Sequence, residues 1–164
     1  MQGLRPTAER IRETLFNWLA PHIHGARCLD LFAGTGALGL EALSRGARTT
    51  TFVEQSTVAA QQLEKNIELV GAASAANVVR GDAVAYLQGA DDVFDIIFLD
   101  PPFAADLLGE TCRLVAARNL LAEGGLVYLE MDRSQDDPSL PDGWNITRHK
   151  TAGNVRYMLV TAVS

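Results

Sequence analysis

The chain lacks a long hydrophobic segment and any sign of a leader sequence. Its longest apolar run, Phe94–Leu99, is interrupted by Asp95 and is far shorter than the roughly 18 apolar residues of a membrane-spanning helix. The N-terminus does not show the basic-then-apolar order of a signal peptide. With 164 residues, 48% of them hydrophobic, we expect a single cytoplasmic domain over residues 1–164 with no membrane partner.

Residues that bind metals or form disulfides are scarce. Only 2 cysteines and 3 histidines occur, and neither Cys28 nor Cys112 has metal-ligand spacing, so we predict two buried free thiols. His22 and His24 flank a single residue, and two ligands without a nearby third rarely hold zinc. We therefore expect no metal site.

Positive charge is also in deficit, since the formal net charge is −6. That balance counts weakly against a nucleic-acid partner, because a polyanion is bound largely through Lys and Arg. The distribution is more favourable, because residues 143–164 contain no acidic residue and both ends of the chain carry basic side chains.

Apolar runs alternate with helical patterns over most of the chain, which is typical of βαβ units and a parallel sheet. After residue 138 this alternation gives way to two runs separated by a turn, which predicts a hairpin. The fold class is therefore α/β, a doubly wound, mostly parallel sheet ending in an antiparallel hairpin. The predicted strands are 27–32, 49–54, 76–80, 94–100, 126–130, 144–150 and 156–163, and the predicted helices are 8–19, 37–45, 57–70, 83–87 and 105–117.

A glycine-rich turn joins the first predicted strand to a helix. Gly34 and Gly36 can adopt backbone angles closed to other residues and let a nucleoside approach the backbone, while Gly39 permits close helix packing. Taken alone, the pattern is also that of an ordinary tight turn. It becomes informative through the acidic residues around it.

Three carboxylates accompany this turn. Glu54 ends the next strand, where an acidic side chain accepts hydrogen bonds from both ribose hydroxyls of an adenosine in nicotinamide enzymes and methyltransferases alike. Asp30 precedes the first glycine, where it would repel a pyrophosphate and attract a cation such as S-adenosylmethionine. Asp82 ends the third strand and could accept from the adenine amine, cap the following helix, or do both.

The most specific motif is Asp100-Pro101-Pro102-Phe103, directly after an apolar strand. Two prolines fix the backbone, so the carbonyl of Pro101 and the carboxylate of Asp100 can both face one incoming amine. Such acceptors would direct the nitrogen lone pair of an exocyclic base amine toward a methyl donor. Phe103 would stack on the unpaired base. The plainer alternative is a strand that simply stops at a Pro-Pro turn.

Together with these motifs, four further segments make the chain resemble the bacterial RsmD family of methyltransferases. They are LRPT and RIRETLFNWL at 4–7 and 10–19, LDLFAG at 29–34, GLEALSRG at 39–46, and KTAG at 150–153. The resemblance implies a Rossmann-like fold and methylation of the N2 amine of a guanine in 16S ribosomal RNA, free or in a small-subunit particle. It implies S-adenosylmethionine as cofactor, S-adenosylhomocysteine as product, and closure of Thr7 and the opening helix over the cofactor, with Phe32 and Ala83 among the contacts.

We expect a positive rim around the pocket for RNA, formed by Arg5, Arg10, Arg12, Lys150 and Arg156. Members of the family carry a basic hairpin before the segment that matches Leu4, and that hairpin would add RNA-binding charge. Its absence from this sequence would weaken RNA binding without affecting the cofactor.

Other functions remain open at the level of sequence. One is an adenine-N6 or cytosine-N4 DNA methyltransferase, or an enzyme acting on a protein glutamine, although such DNA enzymes generally add a recognition domain. Another is an NAD-dependent oxidoreductase, against which Asp30 and the two prolines count. A third is a binding module with an inactive cofactor site.

Overall fold

The structure is a computed structural model that describes residues 6–102 and 105–162, with the side chains of residues 105 and 106 left aside. Five α-helices and a short 3₁₀ helix at Ala73–Ala75 surround one sheet. The helices are α1 Thr7–Leu19, α2 Ala37–Ser44, α3 Thr57–Leu69, α4 Ala83–Gly89 and α5 Ala105–Ala117. The strands are β1 Arg27–Asp30, β2 Thr49–Glu54, β3 Ala76–Arg80, β4 Phe94–Leu99, β5 Leu121–Asp132, β6 Trp144–Ala152 and β7 Val155–Ala162.

The seven strands run in the order β3-β2-β1-β4-β5-β7-β6. Strands β1 to β5 are parallel, while β7 pairs antiparallel with both β5 and β6. The predicted α/β class, with its terminal antiparallel hairpin, is confirmed. Because β6 and β5 both oppose β7, they point the same way, and the β6–β7 turn lies at the carboxyl edge of the parallel strands.

Helices cover both faces of the sheet, since the central strands are apolar on both sides. One face packs its buried side chains against α4 and α5 around Ile97, Val127 and Met158. On the other face, α1 packs over Phe98 and Tyr128, and α2 and α3 cover the end of the sheet near β2. This arrangement leaves the carboxyl edge of the parallel strands open as the place for a site.

The start of β5 was predicted wrongly. It begins at Leu121, which pairs with Phe94 before an irregularity in the register. Gly124, with φ +75°, and Gly125 follow inside the strand. These two glycines interrupt the run of apolar residues, so the first half of β5 could not be predicted from that run. The predicted free thiols of Cys28 and Cys112 are confirmed as buried and unpaired. No helix in the described part of the chain is long and apolar enough to cross a membrane.

Candidate active site

A cavity of about 480 Å³ opens at the carboxyl edge of the parallel strands. It spans the point where the strand order reverses between β1 and β4, the position at which doubly wound sheets bind ligands. Many of the predicted site residues lie on its wall, namely Phe32, Gly34, Glu54, Asp82, Ala83, Asp100, Pro101 and Pro102. The fold therefore brings the glycine turn and the Asp-Pro-Pro motif to one cavity.

Glu54 holds the glycine turn in place. Its Oε1 accepts a hydrogen bond of 2.7 Å from the Gly34 N–H, and its Oε2 accepts one of 2.8 Å from the Ser56 N–H. Gly34 has φ +57°, and a Cβ built there would meet no atom within 4 Å. Bare backbone thus faces the open cavity beside a fixed carboxylate, as a bound nucleoside requires.

The other two glycines of the turn serve packing and do not line the cavity. Gly36 precedes α2 with φ +96°, and a Cβ there would collide with the Leu63 side chain of α3. A Cβ on Gly39 would collide with Phe52 and come within 2.9 Å of Thr50 Cγ2. The packing role predicted for Gly39 is confirmed, whereas a direct role for Gly36 at the cofactor stays a prediction.

Asp30 takes a different position from the one predicted. Its side chain is only 2% exposed, is absent from the cavity wall, and its Oδ2 accepts a hydrogen bond of 3.0 Å from the Gly39 N–H. Burial raises the pKa of Asp30 to about 7, despite this bond. Because the first turn of a helix leaves N–H groups unpaired, this hydrogen bond anchors α2. A direct contact between Asp30 and a cationic cofactor stays a prediction.

The capping role foreseen for Asp82 is confirmed. Its Oδ2 accepts a hydrogen bond of 2.9 Å from the Ala85 N–H, so it caps α4, and it also lines the cavity together with Ala83. A carboxylate has acceptor capacity beyond one such bond. Binding of an adenine amine by Asp82 stays a prediction.

Asp100 directly follows β4, which lies between β1 and β5 in the sheet. We call the side of the cavity lined by the glycine turn after β1 its first half and the side lined by β5 and the connection after it its second half. Leu99 of β4 pairs with Leu129 of β5, so Glu130 stands beside Asp100 on the neighbouring strand, and both line the cavity. Burial, with smaller effects from Glu130 and Asp30, raises the pKa of Asp100 to about 7. Burial also raises the pKa of Glu130. The pair can therefore take up a proton near neutral pH.

The second half of the cavity is also lined by Asp132 at the end of β5 and by Gln135 of the following connection. Arg156 of β7 holds this connection, since it donates to the Gln135 carbonyl at 3.3 Å and forms an ion pair of 2.7 Å with Asp137. Its side chain is only 14% exposed. Arg156 is therefore already paired with a carboxylate and is not a free surface cation in this structure. A contact between Arg156 and RNA stays a prediction.

The other members of the predicted rim that the structure describes, Arg10, Arg12 and Lys150, lie on α1 and β6, which contact each other. Arg10 and Lys150 are exposed and Arg12 is half-buried. Thr7 begins α1, where its hydroxyl oxygen accepts from Arg10 at 3.3 Å, and its side chain lies 3.5 Å from a Cβ built on Gly153 of the β6–β7 turn. Their roles stay predictions, and Arg5 and Phe103 lie outside the described residues.

Part of the cavity wall was not predicted from the sequence, including Gln55, Glu130, Met131 and Gln135. Glu130 could have been found, because it closes an apolar strand just as Asp100 does, and the ends of parallel strands share one edge. Gln55 and Gln135 lie on connections between elements, and sequence periodicity does not predict how a connection folds over the edge of the sheet.

The cavity wall is acidic. Among the described residues it carries the carboxylates of Glu54, Asp82, Asp100, Glu130 and Asp132, and it has no lysine, arginine or histidine. Such a wall favours a ligand with positive charge over a pyrophosphate. The same part of the chain holds no group of three or more His, Cys, Asp or Glu side chains arranged for a metal ion.

Comparison with known proteins shows the family of the chain. Residues 1–161 match the family described as Conserved hypothetical protein 95. The chain is 47% identical over 157 residues to ribosomal RNA small subunit methyltransferase D of Escherichia coli, covering 96% of this chain and 79% of that protein. The Haemophilus influenzae protein of the same name is 42% identical over 162 residues, covering 96% of this chain and 83% of the relative.

Solved structures show the same fold. The Escherichia coli protein yhhF, named as a candidate methyltransferase, superposes with a TM-score of 0.91 at 42% identity, over 100% of this chain and 90% of that one. A candidate methylase from Haemophilus influenzae gives a TM-score of 0.86 at 39% identity, over 97% of this chain and 100% of the other. With a site of this architecture and these relatives, the chain belongs to the RsmD family of methyltransferases.

Proposed function

We propose that this protein transfers a methyl group from S-adenosylmethionine to the exocyclic N2 amine of a guanine in 16S ribosomal RNA. The observation that carries the proposal is the position of Asp100. It stands between a half of the cavity built from the glycine turn and a second half bounded by β5 and its connection. The relatives named as small subunit methyltransferases supply the choice of RNA.

The first half of the cavity fits the cofactor. Glu54 offers a fixed carboxylate to a ribose, Asp82 offers one to an adenine amine, and Gly34 leaves the backbone bare between them. The absence of basic side chains from the described cavity wall suits a ligand with an ammonium and a sulfonium group. A volume of about 480 Å³ is within the range of small-molecule sites.

When bound, S-adenosylmethionine supplies an electrophilic methyl group on its sulfonium. The Asp100 carboxylate and the Pro101 carbonyl would accept hydrogen bonds from the two amine hydrogens of the guanine and aim its lone pair at that methyl carbon. As the nitrogen–carbon bond forms and the carbon–sulfur bond breaks, the nitrogen must lose one proton. Asp100 can receive it, because its pKa is raised to about 7 beside Glu130.

Exposed cations on α1 and β6 would position the RNA. Arg10 and Lys150 lie on two elements in contact with each other, near the β6–β7 turn at the same sheet edge. Contacts to phosphates fix orientation without reading sequence. Recognition of the target base is then left to the cavity.

Methylation of small-subunit particles with a labelled cofactor tests the proposal. The parent protein should produce N2-methylguanosine at one position of 16S ribosomal RNA, mapped by nuclease digestion and mass spectrometry. Asp100→Asn should lower turnover by about 10²- to 10³-fold while binding the cofactor within a few-fold of the parent. Methyl transfer to adenine or cytosine, or to DNA, would contradict the proposed substrate.

A further inference from the structure

Beyond Asp100, the second half of the cavity presents one more carboxylate, that of Glu130. Tyr128, two residues earlier on β5, donates a hydrogen bond of 2.7 Å from its hydroxyl to Glu130 Oε2. Tyr128 is fully buried and its ring packs edge-on against Phe98 of β4 at 6.4 Å between ring centroids. A rigid, buried phenol therefore fixes the direction of Glu130.

Asp132 is a second carboxylate on this part of the cavity wall. Asp132 Oδ1 already accepts hydrogen bonds from the Ser134 N–H and hydroxyl, at 2.9 and 3.0 Å. The side-chain oxygen of Gln135 accepts from the Asp132 N–H at 2.9 Å. Glu130 Oε1 and Asp132 Oδ2 both lack a hydrogen-bond partner within the described ranges. Of these two carboxylates, Glu130 is the one that stands beside Asp100 on the neighbouring strand, so its free oxygen can act on a ligand together with Asp100.

Asp100 directly follows β4 and Glu130 lies beside it on β5, and neighbouring strands lie about 4.8 Å apart. Two acceptors at that spacing suit a base edge with two adjacent donors. Guanine has such an edge, because its N1–H lies next to its N2 amine. Adenine and cytosine place a bare ring nitrogen next to their amines, and a carboxylate facing that lone pair would repel it.

We propose that Glu130 selects guanine by accepting a hydrogen bond from its N1–H while Asp100 accepts one from the N2 amine. This inference rests on the proposed function and adds a specificity-determining residue to it. Glu130 thus contacts the ring nitrogen N1, and Asp100 contacts the amine nitrogen N2 that is methylated. A site that accepts a hydrogen bond from a substrate N–H discriminates against an analogue without that N–H, because the buried acceptor is then left unpaired.

The test changes both partners of the proposed hydrogen bond: the N1–H donor of the base and the carboxylate acceptor of Glu130. Target RNA is prepared with guanine or with 2-aminopurine at the modified position, since 2-aminopurine keeps the 2-amine but has a bare N1. The parent should methylate guanine RNA with the higher kcat/KM. Glu130→Gln places an amide N–H where the carboxylate stood, so the ratio of the two kcat/KM values should shift toward 2-aminopurine by about tenfold or more.

Binding gives a second readout that does not depend on turnover. The fluorescence of 2-aminopurine rises when the base leaves its stack, so titration should show tighter capture of that base by Glu130→Gln than by the parent. Asp132→Asn is the matched control, because it neutralises another carboxylate on the same wall and should leave both the ratio and the titration unchanged. Thermal unfolding and calorimetry with S-adenosylhomocysteine confirm that each variant is folded and binds the product.

The outcomes separate the two proposals. If the parent methylates guanine and Glu130→Gln keeps the parental ratio and titration, the role of Glu130 is overturned and the proposed function stands. If Asp132→Asn shifts the ratio equally, the effect is one of general charge and the inference fails. If the parent does not methylate the guanine of the guanine RNA, the proposed function itself is overturned. Should Glu130→Gln not fold, Glu130→Asp must lower the guanine rate without any gain on 2-aminopurine.

Discussion

The Oε1 of Glu54 lies 2.7 Å from the backbone nitrogen of Gly34, a residue 20 positions earlier in the chain. This hydrogen bond ties the end of β2 to the turn after β1. A side chain assigned to the cofactor from its sequence position therefore also shapes the turn that the cofactor would contact. Substitution at Glu54 affects both.

Glu54→Ala should weaken binding of S-adenosylmethionine by at least about tenfold, because hydrogen bonds to a charged acceptor are lost at about 1.5–3 kcal/mol each. Titration calorimetry measures the affinity. Glu54→Gln is the matched control, since its amide oxygen can still accept from Gly34, and it should retain more affinity than the alanine variant. Binding of NAD without binding of S-adenosylmethionine would contradict the cofactor assignment.

The rate of methyl transfer should rise with pH through about 7 and then level off. Burial and the charges of Glu130 and Asp30 raise the pKa of Asp100 to about 7, and only its ionised form accepts the amine proton. A profile of kcat/KM from about pH 5 to about pH 9 tests this. Because Glu130 contributes to the shift, Glu130→Gln should move the midpoint to lower pH, and an unmoved midpoint would argue against their coupling.

Asp30 should make the protein less stable as the pH rises. Its pKa is about 7 in the fold against an ordinary value of 3.8, so between those values the native state holds a proton that the unfolded chain has lost. Stability therefore falls as pH rises through this window, by at most about 4 kcal/mol at 1.36 kcal/mol per pKa unit. Asp30→Asn, which keeps an acceptor for Gly39, should flatten the fall in urea unfolding measured at several pH values. An equal slope in the variant would refute this assignment.

Lys150 and Arg156 should respond differently to replacement by alanine. Lys150 is exposed, so Lys150→Ala should weaken RNA binding and flatten its dependence on log salt by about 0.7 for one phosphate contact. Arg156 is paired with Asp137, so Arg156→Ala should disturb turnover or stability and leave the salt slope near the parental value. Filter binding over a range of salt separates the two effects.

Asp137→Asn is the control for Arg156, because it breaks the same ion pair from the other side. It should reproduce the defect of Arg156→Ala in a milder form, since Arg156 still donates to the Gln135 carbonyl. If Arg156→Ala instead flattens the salt slope as Lys150→Ala does, Arg156 contacts RNA after all.

Local patterns in the sequence determined most of the elements. The bounds of β2, β3 and α5 agree with those predicted, because each is a short apolar or periodic run between turn residues. The sequence also predicted the amine-binding acceptors of the Asp-Pro-Pro motif, because its carboxylate and its rigid prolines are adjacent in the chain. The first half of β5 escaped prediction, since two glycines interrupt its pattern.

Only the tertiary structure decided which polar side chains reach the cavity. Asp30 and Glu54 both end strands at the same edge, yet Asp30 is drawn beneath α2 by the unpaired N–H of Gly39, while Glu54 stays on the wall. Arg156 likewise pairs with Asp137, a residue 19 positions away in the chain. The position of Asp137 depends on the path of the connection between β5 and β6. Periodicity reports the face of an element and the edge at which it ends. The hydrogen-bond or ion-pair partner of each buried charge or N–H comes from elsewhere in the chain, because only the assembled sheet brings the two groups together.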